Sequence, residues 1–251
     1  MTTVDHSTMK LGLRAVKTDT RTLRLARYLT PQLPPAPPSR AWGAAVGSWG
    51  MMLNDTLGDC TVAAIGHAVQ TWSANRYREI TIADAAILQA YERWCGYNPA
   101  NPASDHGGVE LDVLNRWRAQ GLDGHVLLGY ADPAVGDLAE VRQAINLFGG
   151  VYIGLALPAT AQTQAVWDVD AAGGELAAPG SWGGHAVFVT DYDQDSFTCV
   201  TWGQLKRMTT AFWNAYVVEA HALLCPDWFN ATGAPNGFDI NQLSSDLLAL
   251  H

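Results

Sequence analysis

Apolar residues at Val62, Ile65, Val69 and Trp72 fall at i, i+3, i+7 and i+10, so the run from Cys60 predicts a long helix with one apolar face. Thr81-Ile82-Ala83-Asp84 has the form of a capping box, opening a second helix that reaches about Trp94. A third starts near Glu110, carries Leu111, Leu114 and Trp117, and stops at Gly121. After Tyr130 the pattern changes. Asp137-Leu138-Ala139-Glu140 caps a last clear helix through Phe148, and Gly149-Gly150 breaks it. Strand-length apolar runs then alternate with turns: 151–157, 185–192, the polar Asp193-Gln194-Asp195-Ser196, and 197–202. Residues 212–224 read as a short helix running into a strand, and the tail as a weakly amphipathic helix with Ile240, Leu243 and Leu247.

Helices first and sheet second is an α+β order, with a cleft expected between the halves. The boundaries that follow are an N-terminal extension over 1–40, a helical lobe over 41–125, a β-rich lobe over 126–225 and a C-terminal tail over 226–251. The extension ends in Leu33-Pro34-Pro35-Ala36-Pro37-Pro38, which favours an extended polyproline conformation. No internal repeat interrupts this order.

Composition narrows the function classes. A chain of 251 residues, 48% hydrophobic and 16% charged, can bury a full core. A net charge of −9 without a basic stripe speaks against a nucleic-acid partner. The basic stretch Lys17 to Arg27 is interleaved with Thr, Leu and Asp, and reads as a solvated helix or a clasp on the body. The first ten residues hold no apolar leader core, and no 18-residue apolar span suggests a membrane helix. Cys60, Cys95, Cys199 and Cys225 then read as free thiols of a cytoplasmic monomer. Their spacings fit no zinc pattern, so neither a metal nor a cofactor is expected.

One pairing carries chemistry. Asn54-Asp55-Thr56-Leu57-Gly58-Asp59-Cys60-Thr61 puts a thiol at a helix N-terminus, six residues after an amide. Far downstream, Gly183-Gly184-His185 opens an apolar strand. A thiolate is the nucleophile, and both a helix N-terminus and an imidazolium at His185 lower a thiol pKa. Asp59 opposes them unless its carboxylate caps the helix. Asn54 and the Cys60 N–H are the candidate oxyanion donors.

These residues resemble those of the papain-like cysteine peptidases, in four landmarks taken in order from about Trp42 to Leu224. They are the amide six residues before Cys60, Gly107-Gly108 before a helix, His185 leading a strand, and Val200-Thr201-Trp202-Gly203 at a strand end. The resemblance implies a helical lobe packed on an antiparallel β-barrel-like lobe, with the site in the cleft between. It implies Cys60, His185 and Asn54 as catalytic, Gly58, Gly107 and Gly108 as the substrate-lining backbone, and Trp202 as a shield over His185. The chain departs from the family pattern in four places. Asn54 replaces Gln, Leu57 stands at a disulfide position, Thr61 replaces Trp, and Val200 replaces the Asn that orients the His. The long inhibitory propeptide is also missing, so zymogen control of the usual kind is not expected.

What orients His185 is then open. Asp191, six residues on, would lie roughly 20 Å away along a strand. Alternation places Val200 and Trp202 on the face of His185 and Thr201 on the other, unless a bulge brings Thr201 inward or Gln204 folds back. The expectation is a Cys60–His185 dyad with no dedicated orienting side chain. His67, two helical turns beyond Cys60, is too distant to be its base. Function follows as a thiol hydrolase of a peptide or related amide. The alternatives are an amidase, esterase or acyltransferase on a small substrate, or a degenerate scaffold that binds a peptide or partner.

Overall fold

Helix α1 (Cys60–Arg76) is buried without a break from Cys60 to Ser73 in the computed structural model, which describes residues 5–30, 33–76, 78–229 and 245. The single apolar face read from the sequence is therefore only part of a helix enclosed all round. Several of its polar side chains find partners, within the helix where Thr71 Oγ1 donates to the His67 carbonyl at 2.8 Å and outside it where Gln70 donates to Ser48 and Glu79. Helices α2 (Asp84–Cys95) and α3 (Glu110–Gln120) pack on α1 from one side and the sheet from the other. The cap expected at Thr81 is not formed: Ala83 is the N-cap of α2 and makes no side-chain cap bond. Asp137 does cap α4 (Leu138–Phe148), accepting the N–H groups of Ala139 and Glu140 at 3.0 and 3.1 Å.

The sheet comprises β1 (Leu23–Arg24), β2 (Arg40–Ala41), β3 (Gly129–Asp132), β4 (Val151–Leu157), β5 (Gly183–Tyr192), β6 (Ser196–Thr201), β7 (Gln204–Thr209) and β8 (Val217–Leu224). Its order is β1-β3-β8-β4-β5-β6-β7, with β2 added to β5. Every pair is antiparallel except β1 with β3, and the described strands do not close on themselves. The fold is thus α+β, with an open sheet where a barrel-like one was expected. Residues 210–224 resolve as helix α5 (Thr210–Tyr216) running into β8. The expected tail helix, with Ile240, Leu243 and Leu247, lies outside the described residues.

Alternation along β5 divides the core. Ala186 and Phe188 face α1 with Val62, Trp72 and Tyr152. Val187 and Val189 face the opposite cluster, with Ile153, Trp167, Met208 and Trp213. His185 has the parity of this second face. Strands β6 and β7 join through Trp202-Gly203, both left-handed at φ 48° and 69°, a two-residue hairpin turn matched to the strand twist.

Candidate active site

Cys60 is the first residue of α1 and is 1% exposed. Its Sγ accepts the N–H of Ala186 at 3.4 Å, which brings the thiol to β5 beside His185. The loop before it is anchored by groups the sequence did not single out. Gly58 N–H donates to the Asp105 carboxylate at 3.0 Å, Tyr91 donates its hydroxyl proton to Asp105 at 2.5 Å, and Gly107 N–H donates to Tyr91 Oη at 2.9 Å. Asp105 and Tyr91 therefore tie the Cys60 loop to Gly107-Gly108.

Asn54 is buried in that loop, and its Nδ2 donates to the Leu57 carbonyl and to Asp59 Oδ1, both at 3.2 Å. Asp59 accepts this bond instead of capping α1, and its Oδ2 has no partner. Burial pushes the Asp59 carboxyl well up, with the Asn54 bond opposing. A carboxyl held toward its protonated form repels a neighbouring thiolate less than the sequence reading assumed.

His185 is fully buried, with Nε2 2.7 Å from Thr201 Oγ1 and its ring stacked on Trp202 at 4.7 Å and 19°. Its Nδ1 has no hydrogen-bond partner. Thr201, not position 200, meets the ring, so a side chain does engage one nitrogen of His185. The reason lies in the register: Val200 is paired with Phe188, on the α1 side, whereas Thr201 shares the parity of Cys199 and Phe197. Trp202 reaches the same face only because its left-handed backbone takes it out of the strand alternation. The other candidates are engaged elsewhere. Asp191 accepts Gly43 N–H at 2.7 Å, Gln204 meets His6 at 2.9 Å, and His67 meets the Gly50 carbonyl at 2.9 Å.

The N-terminal extension enters this site. Gly108 N–H donates to the Gly12 carbonyl at 2.8 Å, Arg14 N–H to the Gly108 carbonyl at 2.8 Å, and Leu13 N–H to the Gly184 carbonyl at 3.0 Å. Trp202 Nε1 donates to the Lys10 carbonyl at 3.3 Å. Residues 10–14 thus run as a segment bonded to Gly108 on the helical side and Gly184 on the sheet side, with an isolated bridge at Leu13. Only glycine fits at the crossing: a Cβ on Gly12 would lie 1.7 Å from the Gly58 carbonyl oxygen, and one on Gly107 1.8 Å from the Gly12 oxygen. Gly58, Gly107 and Gly108 therefore lie against the chain's own backbone at Gly12. The Gly12 N–H also acts on the Cys60 sulfur, favouring its thiolate.

Covering the site sets its protonation. Burial pushes the Cys60 thiol up to about 12, against the Ala186 and Gly12 N–H groups that favour the thiolate. Burial, with a smaller contribution from His67, pushes His185 down to about 3. In the covered state Cys60 is a thiol and His185 a neutral imidazole, not the expected thiolate and imidazolium.

Comparison of structures bears on the fold. Xylellain, a cysteine protease from Xylella fastidiosa, is similar with a TM-score of 0.64 at 13% identity, over 86% of this chain and 96% of that one. Digestive procathepsin L 3 of the Tenebrio molitor larval midgut matches with a TM-score of 0.58 at 14% identity, over 87% and 76%. The bromelain protease of Ananas comosus, in complex with the E64 inhibitor, matches with a TM-score of 0.51 at 15% identity, over 74% and 98%. No protein-family model and no curated protein matches the sequence. The chain has the papain-like fold of these cysteine proteases.

Proposed function

We propose that this chain is a papain-like thiol hydrolase in which Cys60 attacks the carbonyl of a peptide or related amide and residues 10–14 are a built-in strand that must leave first. The observation that carries the reading is the set of backbone bonds from Gly108 and Gly184 to residues 12–14. These groups sit beside Cys60 and accept an extended backbone, as peptide recognition by strand addition requires. By taking the backbone bonds a substrate would use, the resident segment acts as an inhibitor.

Once that strand departs, solvent reaches the pair and the burial that disfavours both charges is relieved. The helix N-terminus and the Ala186 N–H then favour the thiolate. His185 takes the proton on Nδ1 while its Nε2–H donates to Thr201 Oγ1, and Trp202 keeps water from the ring. Attack on the carbonyl gives a tetrahedral oxyanion, for which the Cys60 N–H is a donor; one such donor contributes on the order of 3 kcal/mol. Protonated His185 passes its proton to the leaving amine, and a water later releases the acyl group from Cys60.

A second reading has one observation in its favour. Both Nδ2 bonds of Asn54 are made within the loop, which suits a peptide-binding scaffold without an oxyanion amide. Fold alone also leaves an amidase, esterase or acyltransferase open. A panel of peptide amides and activated esters, with mass spectrometry of the Cys60 peptide, separates them. The proposal expects an acyl adduct on Cys60, absent in Cys60→Ala; the preferred leaving group assigns the subclass. Turnover undiminished in Cys60→Ala, or no adduct with any substrate in folded Gly12→Val, whose covering segment is displaced, would remove the hydrolase reading.

A further inference from the structure

A second polar cluster lies beneath the strand that covers the cleft. Glu219 Cγ and Leu13 Cδ2 both stand 2.8 Å from where a Cβ on Gly154 would be, so this cluster begins directly under the Leu13 side chain. It joins Glu110 at the start of α3, Glu219 and His221 on one face of β8, and Asp132 on β3. His221 Nδ1 is 2.6 Å from Asp132 Oδ1, which fixes the ring and leaves Nε2 toward the two glutamates. Nε2 stands 3.5 Å from Glu110 Oε2 and 3.5 Å from Glu219 Oε2. That is long for an N–H···O bond of good geometry.

Most of the donor atoms also lack a hydrogen bond. Both Glu110 oxygens, Glu219 Oε1 and His221 Nε2 make no hydrogen bond, although Glu110 is fully buried and the other two nearly so. A buried carboxylate with no donor is strongly unfavourable unless something positive sits against it. One ligand atom from each residue lies within 4.8 Å of the others. The 3.5 Å separations approach the ~3.4 Å edge of a tetrahedron with metal–ligand bonds of about 2.0–2.1 Å. A carboxylate behind the ligating imidazole is the usual support for such a ring.

We propose that Glu110, Glu219 and His221 bind one divalent metal ion of the zinc class, with Asp132 orienting His221 from behind. Two carboxylates balance the dication, and the imidazole binds neutral through Nε2. Carboxylate and imidazole ligands suit zinc, with manganese and iron as weaker competitors. The ion links α3 of the helical side to β8 of the sheet. A crevice of 170 Å³, lined in part by Val16, Lys17, Asp132, Glu219 and His221, gives it a way in and leaves a position for water. The cysteine spacings that argued against zinc in the sequence say nothing about this site, which uses no cysteine.

The test uses the full-length chain, loaded with zinc, freed of loose ion by gel filtration and analysed for metal. The proposal expects one ion per chain and, with cobalt(II) instead, visible ligand-field bands without a thiolate charge-transfer band. Glu219→Gln and His221→Gln lower the affinity at least ~100-fold, and Asp132→Asn about 10- to 100-fold. Saturating zinc raises the melting temperature of the native chain by about 5–10 °C and leaves Glu219→Gln unshifted. Circular dichroism checks that the variants fold; if they do not, the native stoichiometry and cobalt spectrum decide alone. No retained ion, a thiolate band placing it on a cysteine, or native affinity in folded Glu219→Gln and His221→Gln overturns the proposal.

Discussion

His185 and His221 are both buried, on β5 and β8 of one sheet, yet their rings are driven in opposite directions. Around His185 are a hydroxyl and an indole face, so burial decides and the ring is pushed down to about 3. Burial also pushes His221 down, but Asp132 and Glu219 against its ring outweigh it and carry it up to about 10. The lesson is that burial leaves a histidine neutral unless carboxylates accompany it. A site with no carboxylate partner leaves its imidazole neutral, whereas one rich in carboxylates holds a positive charge, the ring proton of His221 or the metal ion that displaces it.

Thr201 is where that contrast breaks most easily. Thr201→Val removes the partner of His185 Nε2 and should lower kcat about tenfold to a hundredfold, with Thr201→Ser restoring most of it. Steady-state kinetics of the uncovered enzyme would measure this, and an unchanged kcat would show that Trp202 alone holds the ring. Next in size is a stability effect at the neighbouring position. Val200→Asn puts an amide opposite Phe188 on the α1 side, where it should cost about 1–3 kcal/mol without raising activity. Denaturant unfolding checks the cost, and a gain in turnover would contradict the face assignment.

Another effect concerns pH. His67 is buried against the Gly50 carbonyl and the Trp49 ring, with His185 as the nearby titratable group, and burial lowers it to about 4. Its unfolded pKa of about 6.5 is higher, so between the two values the unfolded chain binds more protons and stability falls as pH falls. His67→Gln should flatten that loss by up to about 1.4 kcal/mol per pH unit between pH 6.5 and 4. Identical stability–pH curves for the two proteins would mean His67 is protonated in the fold.

Much of this architecture could be read from the sequence, because long periodic runs signal themselves. Helices α1 to α4, strands β4 to β6 and the Asp137 cap all emerged from spacing and turn residues. Strand β7 did not, because its alternation is inverted: Leu205 is exposed while Lys206 is buried. The Lys206 stem lies along Trp167 and its ammonium donates to the Gln164 carbonyl, so a charged residue fills a core position. The face of position 200 was misjudged because Trp202, used as the marker, had already left the strand at positive φ. Gly12 gave no sign of its role either, since its need for glycine comes from Gly58 and Gly107, far along the chain. Glu110, Glu219, His221 and Asp132 are likewise brought together only by the tertiary fold.

The central claim is that Cys60 is a competent nucleophile held silent by the chain's own strand, and Gly12→Val tests it most directly. A side chain at Gly12 meets the Gly58 backbone at 1.7 Å, so the strand must leave while the rest of the fold stands. Iodoacetamide labelling mapped by mass spectrometry, at pH 6.5, gives the rate at each cysteine of both proteins. The account predicts slow labelling of Cys60 in the native chain and a rate about a hundredfold higher in Gly12→Val, equivalent to ~2.7 kcal/mol in the opening equilibrium. Cys199 and Cys225 stay unreactive in both. Equal Cys60 rates in the two proteins, with the variant folded, would contradict it.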